Sequence, residues 1–242
     1  MLGTAPDEYA HYLSENGYHP RSDKHGEKMC DFLLRDLYEN CPTLRALANS
    51  GSIVYQTDYV VFENTPDKWT IDLVIGPSSS RSLPKGPFIA KANPSEVWVA
   101  IDAKGIMTEH GKCRRNRQRD LNSMANILHR MTPEPIVGGY VIINMATEFR
   151  SPLRDVLTLH KNIQHKVAET VPLFLQILKD EESGRAGIDA IGVTIIEYTN
   201  LPRSTCTIIR GPPAPDHSSP LQHDNFVSRI CTELVNRFSP SR

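Results

Sequence analysis

The amino-acid sequence predicts an α/β fold in which a central sheet is flanked by helices. Strand-like apolar runs occupy residues 69–75, 96–106 and 136–145, and helical periodicities at 26–40 and 112–131 alternate with them. The chain has 242 residues, which is enough for one domain with a substantial buried core. We therefore interpret the whole chain as a single α/β domain.

The first third of the chain predicts an arm, a helix and two paired strands. Residues 1–25 are polar and are interpreted as an N-terminal arm. Apolar residues at every fourth position predict a helix from 26 to about 40, which ends before a Cys-Pro pair. Strands are predicted at 52–62 and 68–75, and the turn composition of residues 64–67 predicts an antiparallel hairpin.

The remaining elements follow from the same patterns. Residues 76–95 hold several prolines and serines and are predicted to form a long loop. The strand at 96–106 is apolar on both faces until Asp102, as expected of a central strand. The later elements predicted are a helix at 112–131, a strand at 136–145, a helix at 153–179, strands at 188–198 and 205–209, and a helix at 224–238.

Composition restricts the kind of protein. The formal net charge is −1, so contact with nucleic acid would need a local basic patch. Five cysteines form no CxxC pair, which favours reduced thiols and a cytoplasmic location. No apolar run approaches the roughly 20 residues of a membrane helix, and the start lacks the pattern of a signal peptide. We expect no membrane partner.

Two carboxylates and a lysine lie in or beside the apolar strands. Asp72 interrupts one strand, and Asp102, Ala103 and Lys104 follow the apolar part of the next. Alternation along a strand puts Asp102 and Lys104 on one face. An Asp/Glu-x-Lys string is expected about once by chance in such a chain, so the strand context gives it weight. Two carboxylates on neighbouring strands predict a site for Mg²⁺.

This order of elements and residues resembles the restriction-endonuclease-like nuclease superfamily, whose signature is written PD-(D/E)xK. The resemblance covers residues 26–145, with Ile71 and Asp72 at the PD element and Asp102-Ala103-Lys104 at the (D/E)xK element. Ile71 replaces the proline of the motif. The spacing between the two elements is long, and the loop at 76–95 would have to accommodate it. The resemblance implies a mixed central sheet flanked by helices.

The resemblance also implies roles for the site residues. Asp72 and Asp102, with the Ala103 carbonyl, would bind a catalytic Mg²⁺, and Lys104 would orient the attacking water or stabilise developing charge. Glu27 stands where many relatives have a further acidic residue, although a solvated helix-face glutamate fits the sequence equally well.

A basic run follows the motif. Five of the eight residues from 112 to 119 are basic, which suits a polyanion, although a solvated helix face is the alternative. Contacts to phosphates or to bases are both open. His110 fits a helix cap or phosphate contact better than a proton shuttle. The predicted DNA contacts are His110, Lys112, Arg114, Arg115, Asn116, Arg117 and Arg119.

Together these features predict a Mg²⁺-dependent, sequence-specific endonuclease for double-stranded DNA, a type II restriction enzyme. A DNA repair or transposon-end nuclease, or a non-cleaving DNA-binding module, is the alternative. Residues 26–145 would form the catalytic core, and residues 146–242 an extension for sheet completion, DNA contact or dimerisation. Symmetric cleavage of both strands favours a homodimer, with the helices after residue 146 forming part of the dimer interface. The alternative is that these helices only cover the sheet.

Overall fold

The computed structural model describes residues 3–62, 68–79, 88–179 and 187–238. Within these ranges the helices are α1 (Ala5–Asn16), α2 (Lys24–Asn40), α3 (Pro42–Asn49), α4 (His110–Met131), α5 (Ile163–Leu175) and α6 (His223–Phe238). The strands are β1 (Ile53–Val61), β2 (Trp69–Pro77), β3 (Ala90–Lys91), β4 (Val99–Ile106), β5 (Ile136–Asn144), β6 (Glu148–Phe149), β7 (Thr158–Leu159), β8 (Ala190–Glu197) and β9 (Thr207–Ile209).

A mixed sheet forms the centre of the molecule. In the described part of the chain it has seven strands in the order β3-β1-β2-β4-β5-β8-β9, and β6 and β7 pair separately. Strands β1, β2 and β4 are antiparallel neighbours, whereas β4, β5 and β8 run parallel. Helix α4 connects β4 to the parallel β5. The predicted α/β class, the mixed sheet and the antiparallel β1–β2 pairing are confirmed; the turn predicted at 64–67 lies outside the described residues.

Helices cover both faces of the sheet. The apolar residues of α1, α2, α3 and α6 form one buried cluster with the sheet, and those of α4 and α5 form a second cluster. Every residue of the central strand β5 is buried, as its near-continuous apolar run predicts. The C-terminal part of the chain thus completes the sheet with β8 and β9 and covers it with α5 and α6.

The N-terminal segment is a helix, so its interpretation as an arm is wrong. Thr4 and Asp7 form a reciprocal capping box at the start of α1. Leu13 is completely buried on the same face as Tyr9, and the buried Asp36 accepts a hydrogen bond from the Ala5 amide at 2.6 Å. The apolar residues of this helix are few and widely spaced among polar ones, so their periodicity was not recognised.

The structure also contains a helix that was not predicted, and another helix begins later than predicted. Helix α2 ends at Asn40 as predicted, but α3 begins immediately afterwards at Pro42, because proline is well tolerated in the first helical turn. The helix predicted at 153–179 begins only at Ile163. Before it, β6 and β7 pair, and Asn162 adopts a left-handed conformation with φ of 53° that separates β7 from α5.

The prediction that all five cysteines are reduced is also wrong. Cys41 and Cys231 form a disulfide, with their Cα atoms 5.5 Å apart and a sequence separation of 190 residues. Packing of α6 against the junction of α2 and α3 brings them together, and sequence spacing gives no sign of such a distant pairing. The cytoplasmic location stays a prediction.

Candidate active site

Asp72 and Asp102 lie opposite each other where strands β2 and β4 separate. Backbone pairing between the strands includes Leu73 with Ile101, and in this register Asp72 and Asp102 would be the next pair. There the Ala103 amide donates a hydrogen bond to Oδ2 of Asp72 at 2.8 Å. A side chain therefore accepts the hydrogen bond where backbone pairing stops; Asp72 lines the adjoining cleft, and Asp102 lies buried beside it.

Lys104 joins the two carboxylates. Its Nζ atom donates to Oδ1 of Asp102 at 2.7 Å and lies 3.9 Å from Oδ2 of Asp72. Asp102 is completely buried, while the Lys104 side chain keeps 20% of its surface exposed. The structure thus brings together the three residues that the sequence motif contains, with the lysine on the solvent side of the buried aspartate.

The orientation of Asp72 depends on an interruption in β2. Strict alternation would place the side chains of Ile71 and Leu73 on the same face of the sheet. Instead, Ile71 packs in the cluster with α4 and α5, and Leu73 packs in the cluster on the opposite face. Around this interruption the Asp72 carboxylate turns towards α2, where a Cβ on Gly26 would lie only 3.3 Å from its Oδ2. A glycine at this position lets the helix approach the carboxylate closely.

Burial dominates the electrostatics of Asp102. It raises the pKa of the Asp102 carboxyl well above its usual range, the charge of Asp72 raises it further, and Lys104 opposes both. Burial would lower the pKa of Lys104, but Asp102 and Asp72 outweigh it and hold the pKa above its usual value. The lysine is therefore cationic, and it faces two carboxylates that compete for its one charge.

One oxygen of Asp102 lacks a partner. Its Oδ2 is buried and accepts no hydrogen bond from the described residues, an arrangement that is costly unless a proton or a cation compensates it. The oxygen donors of Asp72 and Asp102 fit Mg²⁺, which proteins often hold through one or two carboxylates plus water and phosphate. The described ranges contain no group of three or more His, Cys, Asp or Glu side chains arranged for a metal, so water and substrate would supply the other ligands.

The site opens into a cleft of about 510 Å³ whose lining includes residues that the sequence argument did not select. Asp58 of β1 lies across from Asp72, and burial followed by the charge of Asp72 raises the pKa of its carboxyl. Tyr18 comes from the segment between α1 and α2, and its hydroxyl would lie 3.4 Å from a Cβ on Gly105. Asp58 could have been found once the hairpin register was assigned, whereas nothing in the sequence indicated Tyr18.

The basic run lies on the first half of α4 and points in three directions. Arg117 lines the cleft, donates from Nε to the Gly105 carbonyl at 3.3 Å, and forms an ion pair with Asp120. Arg114 instead pairs with Glu169 of α5 at 3.0 Å. The other four predicted contacts are exposed, namely Lys112, Arg115, Asn116 and Arg119.

Two predicted site residues lie away from the cleft surface. His110 is 3% exposed, and its Nε2 bonds the Asn144 carbonyl at 2.6 Å. Burial lowers the pKa of His110 to about 4 despite that hydrogen bond. A buried neutral imidazole does not present a charge to phosphate, so this placement departs from the predicted DNA contact. Glu27 is half-buried in the first turn of α2 and does not line the cleft; its neighbour Gly26 does.

Comparison of the chain with protein-family models, with curated proteins and with solved structures finds no match. None of the helices described is both long and apolar enough to cross a membrane. The functional interpretation therefore depends on the strand register, burial and hydrogen bonding around Asp72, Asp102 and Lys104.

Proposed function

We propose that this protein is a Mg²⁺-dependent endonuclease of the restriction-endonuclease-like superfamily. The observation that supports it most is Oδ2 of buried Asp102, which no described residue satisfies; it lies beside Asp72 and Lys104, where two strands separate. The strand order agrees with the family pattern, since a hairpin contributes Asp72 and the next strand contributes Asp102 and Lys104 before the α4 crossover.

The two aspartates and Lys104 have different roles in the proposed phosphodiester hydrolysis. Asp72 and Asp102 would hold the cation, and bound Mg²⁺ would supply charge neutralisation at the scissile phosphate. Lys104 is fixed by Asp102 at 2.7 Å, from where its ammonium orients the attacking water or stabilises the charge that develops on phosphate. The water oxygen bonds to phosphorus and gives up a proton to solvent as the bond to the 3′ oxygen breaks, and the 3′ oxygen takes up a proton from solvent, which leaves 5′-phosphate and 3′-hydroxyl ends.

The proposed substrate is double-stranded DNA, and the specific proposal is a type II restriction enzyme that acts as a homodimer. Arg117 reaches the cleft, and exposed basic residues of α4 lie next to it, which supports neutralisation of DNA phosphates near the cut. A two-fold dimer would bring two such sites to a symmetric sequence.

Cleavage of supercoiled plasmid tests the proposal directly. Wild-type protein should cut in Mg²⁺ and lose activity in excess chelator, and Lys104→Ala should lower the single-turnover rate by orders of magnitude with DNA affinity little changed. Asp155→Asn, which removes an exposed carboxylate charge in the β6–β7 loop, should cut normally. Activity that survives in the Asp72→Asn variant at the same Mg²⁺ concentration would refute the site. Light scattering with and without DNA tests the dimer.

A further inference from the structure

A second cavity lies between the start of α4, strand β7 and helix α5. It has a volume of about 400 Å³, and its lining includes Lys112, Thr158, His160 and Lys166. It is separate from the candidate active site, because the two sets of lining residues have no member in common. The cavity lies at the opposite end of β4 from the strand pairing with β2, beyond the Lys104 position.

All four of these groups have unused binding capacity. Neither Lys112 nor Lys166 forms an ion pair with any described residue. The hydroxyl Oγ1 of Thr158 and Nε2 of His160 are buried and have no hydrogen-bond partner in the described ranges. Buried polar atoms are normally satisfied, so two such atoms beside two unpaired ammonium groups indicate a site for a polar ligand.

The charges around the cavity specify an anion. Glu109 is the one carboxylate in the lining, and Arg154 pairs with it at 2.5 Å. The ring of His110 lies edge-on to that of His160, with centroids 4.9 Å apart. Its Nε2 is already hydrogen-bonded to the Asn144 carbonyl. With Glu109 compensated in this way, Lys112 and Lys166 leave the cavity with a net positive charge.

We propose that this cavity binds a phosphate group. Two ammonium groups, a hydroxyl and an imidazole match the several oxygens of a phosphate, which accept charge-assisted hydrogen bonds. His160 donates from Nδ1 to the Ala146 carbonyl at 2.7 Å, so its Nε2 is an acceptor while the ring is neutral. A terminal phosphomonoester supplies a proton for that nitrogen, whereas a backbone phosphodiester requires a ring that is already protonated.

The position of the cavity gives the phosphate a role in DNA binding. Asp102 pairs with Gly139 of β5, and Asn144, which binds His110, lies five residues farther along the same strand. That is roughly 16 Å along the strand, or about five nucleotide steps of B-form DNA. Binding of phosphate stands independently, but this use in holding DNA beyond the cut rests on the proposed nuclease function.

Titration calorimetry with inorganic phosphate, on the full-length protein without divalent cations, tests the site. Lys166→Met should weaken binding by about tenfold or more, since it removes a charge-assisted contact, and Thr158→Val should weaken it with almost no change in side-chain volume. Lys161→Met is the matched control because Lys161 is exposed and outside the cavity lining. Equal losses in Lys161→Met and Lys166→Met, or no binding by wild type, would overturn the proposal.

Duplexes with 5′-phosphate or 5′-hydroxyl ends then identify the source of the phosphate. If Lys166→Met weakens binding of both duplexes equally, the cavity holds a backbone phosphodiester, and a loss only with phosphorylated ends assigns it to a terminal phosphate. Absence of plasmid cleavage with Lys166-dependent phosphate binding would reject the nuclease and leave the site standing. Cleavage by wild type with phosphate binding unchanged in Lys166→Met and Thr158→Val would reject the site alone.

Discussion

Two buried carboxylates of this protein have opposite surroundings. Asp36 is 3% exposed, and its Oδ2 accepts hydrogen bonds from the Ala5 amide at 2.6 Å and from His223 Nε2 at 2.9 Å. Nδ1 of His223 in turn forms a hydrogen bond with the hydroxyl of Tyr140 at 2.9 Å. Asp102 is also buried, yet its Oδ2 has no hydrogen-bond partner among the described residues, and the neighbouring charges include a second carboxylate.

The difference separates structural from functional burial. The Asp36 network connects α1, α2, α6 and the central strand β5, and its hydrogen bonds compensate the loss of hydration. Among the described residues, the Asp102 carboxylate accepts a hydrogen bond from Lys104 and otherwise faces the like charge of Asp72. A buried carboxylate that the fold leaves incompletely satisfied is a functional-site candidate, because a ligand can supply the missing interaction.

The largest expected effect comes from Asp102→Asn. Loss of this carboxylate should lower the single-turnover cleavage rate by about a thousandfold or more, since it removes a cation ligand at the reacting phosphate. The melting temperature should stay equal or rise, because the substitution removes a buried charge with an unsatisfied oxygen. Thermal unfolding and cleavage are measured on the same preparation, and a lower melting temperature would count against the distinction drawn from Asp36.

Asp189→Asn should give the reverse pattern. Asp189 accepts from the Val137 amide at 2.8 Å and pairs with the guanidinium of Arg237 in α6. Breaking a buried pair from one side should reduce the free energy of unfolding by about 3 kcal/mol, with cleavage by the folded fraction retained. Urea unfolding measures the loss. Glu233→Gln, which touches the same Arg237 from a more exposed position, should cost less.

His110 provides a pH-dependent test of a buried group outside the cleft. Burial lowers its pKa to about 4, against the hydrogen bond to Asn144 and with His160 and Lys166 adding to the decrease. His110 therefore takes up a proton near pH 6.5 in the unfolded chain but only near pH 4 in the folded protein. The free energy of unfolding falls as the pH drops from about 6.5 towards 4. The loss is at most on the order of 3 kcal/mol.

Urea unfolding at several pH values between 7 and 4 measures this loss, and His110→Gln is the comparison because it keeps an amide near the Asn144 carbonyl without a titrating ring. The stability of wild type should fall more steeply than that of the variant. Parallel pH profiles would show that His110 is not the buried neutral imidazole described here.

Local patterns account for what the sequence could predict. Strands β2 and β4 are apolar runs, and alternation fixes the relation of Asp102 to Lys104 within one strand. Their relation to Asp72 required only that β2 pair with β4, which the short strand β3 separates from it along the chain. These features depend on residues close in sequence, so the motif and the sheet around it were predictable without a structure.

Contacts between distant parts of the chain were not predictable. Tyr18 is held by reciprocal backbone hydrogen bonds with the side chain of Asn200, and Cys41 meets Cys231; no local pattern encodes either pairing. The break in alternation at Asp72 is seen only in the packing of Ile71 and Leu73 into opposite clusters. Asp102 could be recognised as acidic from the sequence, but its unsatisfied oxygen is a property of the packed fold.

The smallest expected effect separates the geometry of Asp72 from its charge. Gly26→Ala adds a methyl group 3.3 Å from Oδ2 of Asp72, so the carboxylate must move by a few tenths of an ångström while keeping its charge. Alanine favours a helix over glycine by roughly 0.5–1 kcal/mol. We expect a slightly higher melting temperature together with a cleavage rate lowered about tenfold, because catalytic groups tolerate little displacement.

Glu39→Ala provides the control, since it changes an exposed residue near the other end of α2. It should alter stability slightly and leave the cleavage rate unchanged. An unchanged rate in Gly26→Ala would mean that Asp72 adjusts freely, and the close approach of α2 would then be a packing feature without catalytic consequence. A lower rate with a higher melting temperature cannot arise from partial unfolding, so it would assign the loss to the position of the Asp72 carboxylate.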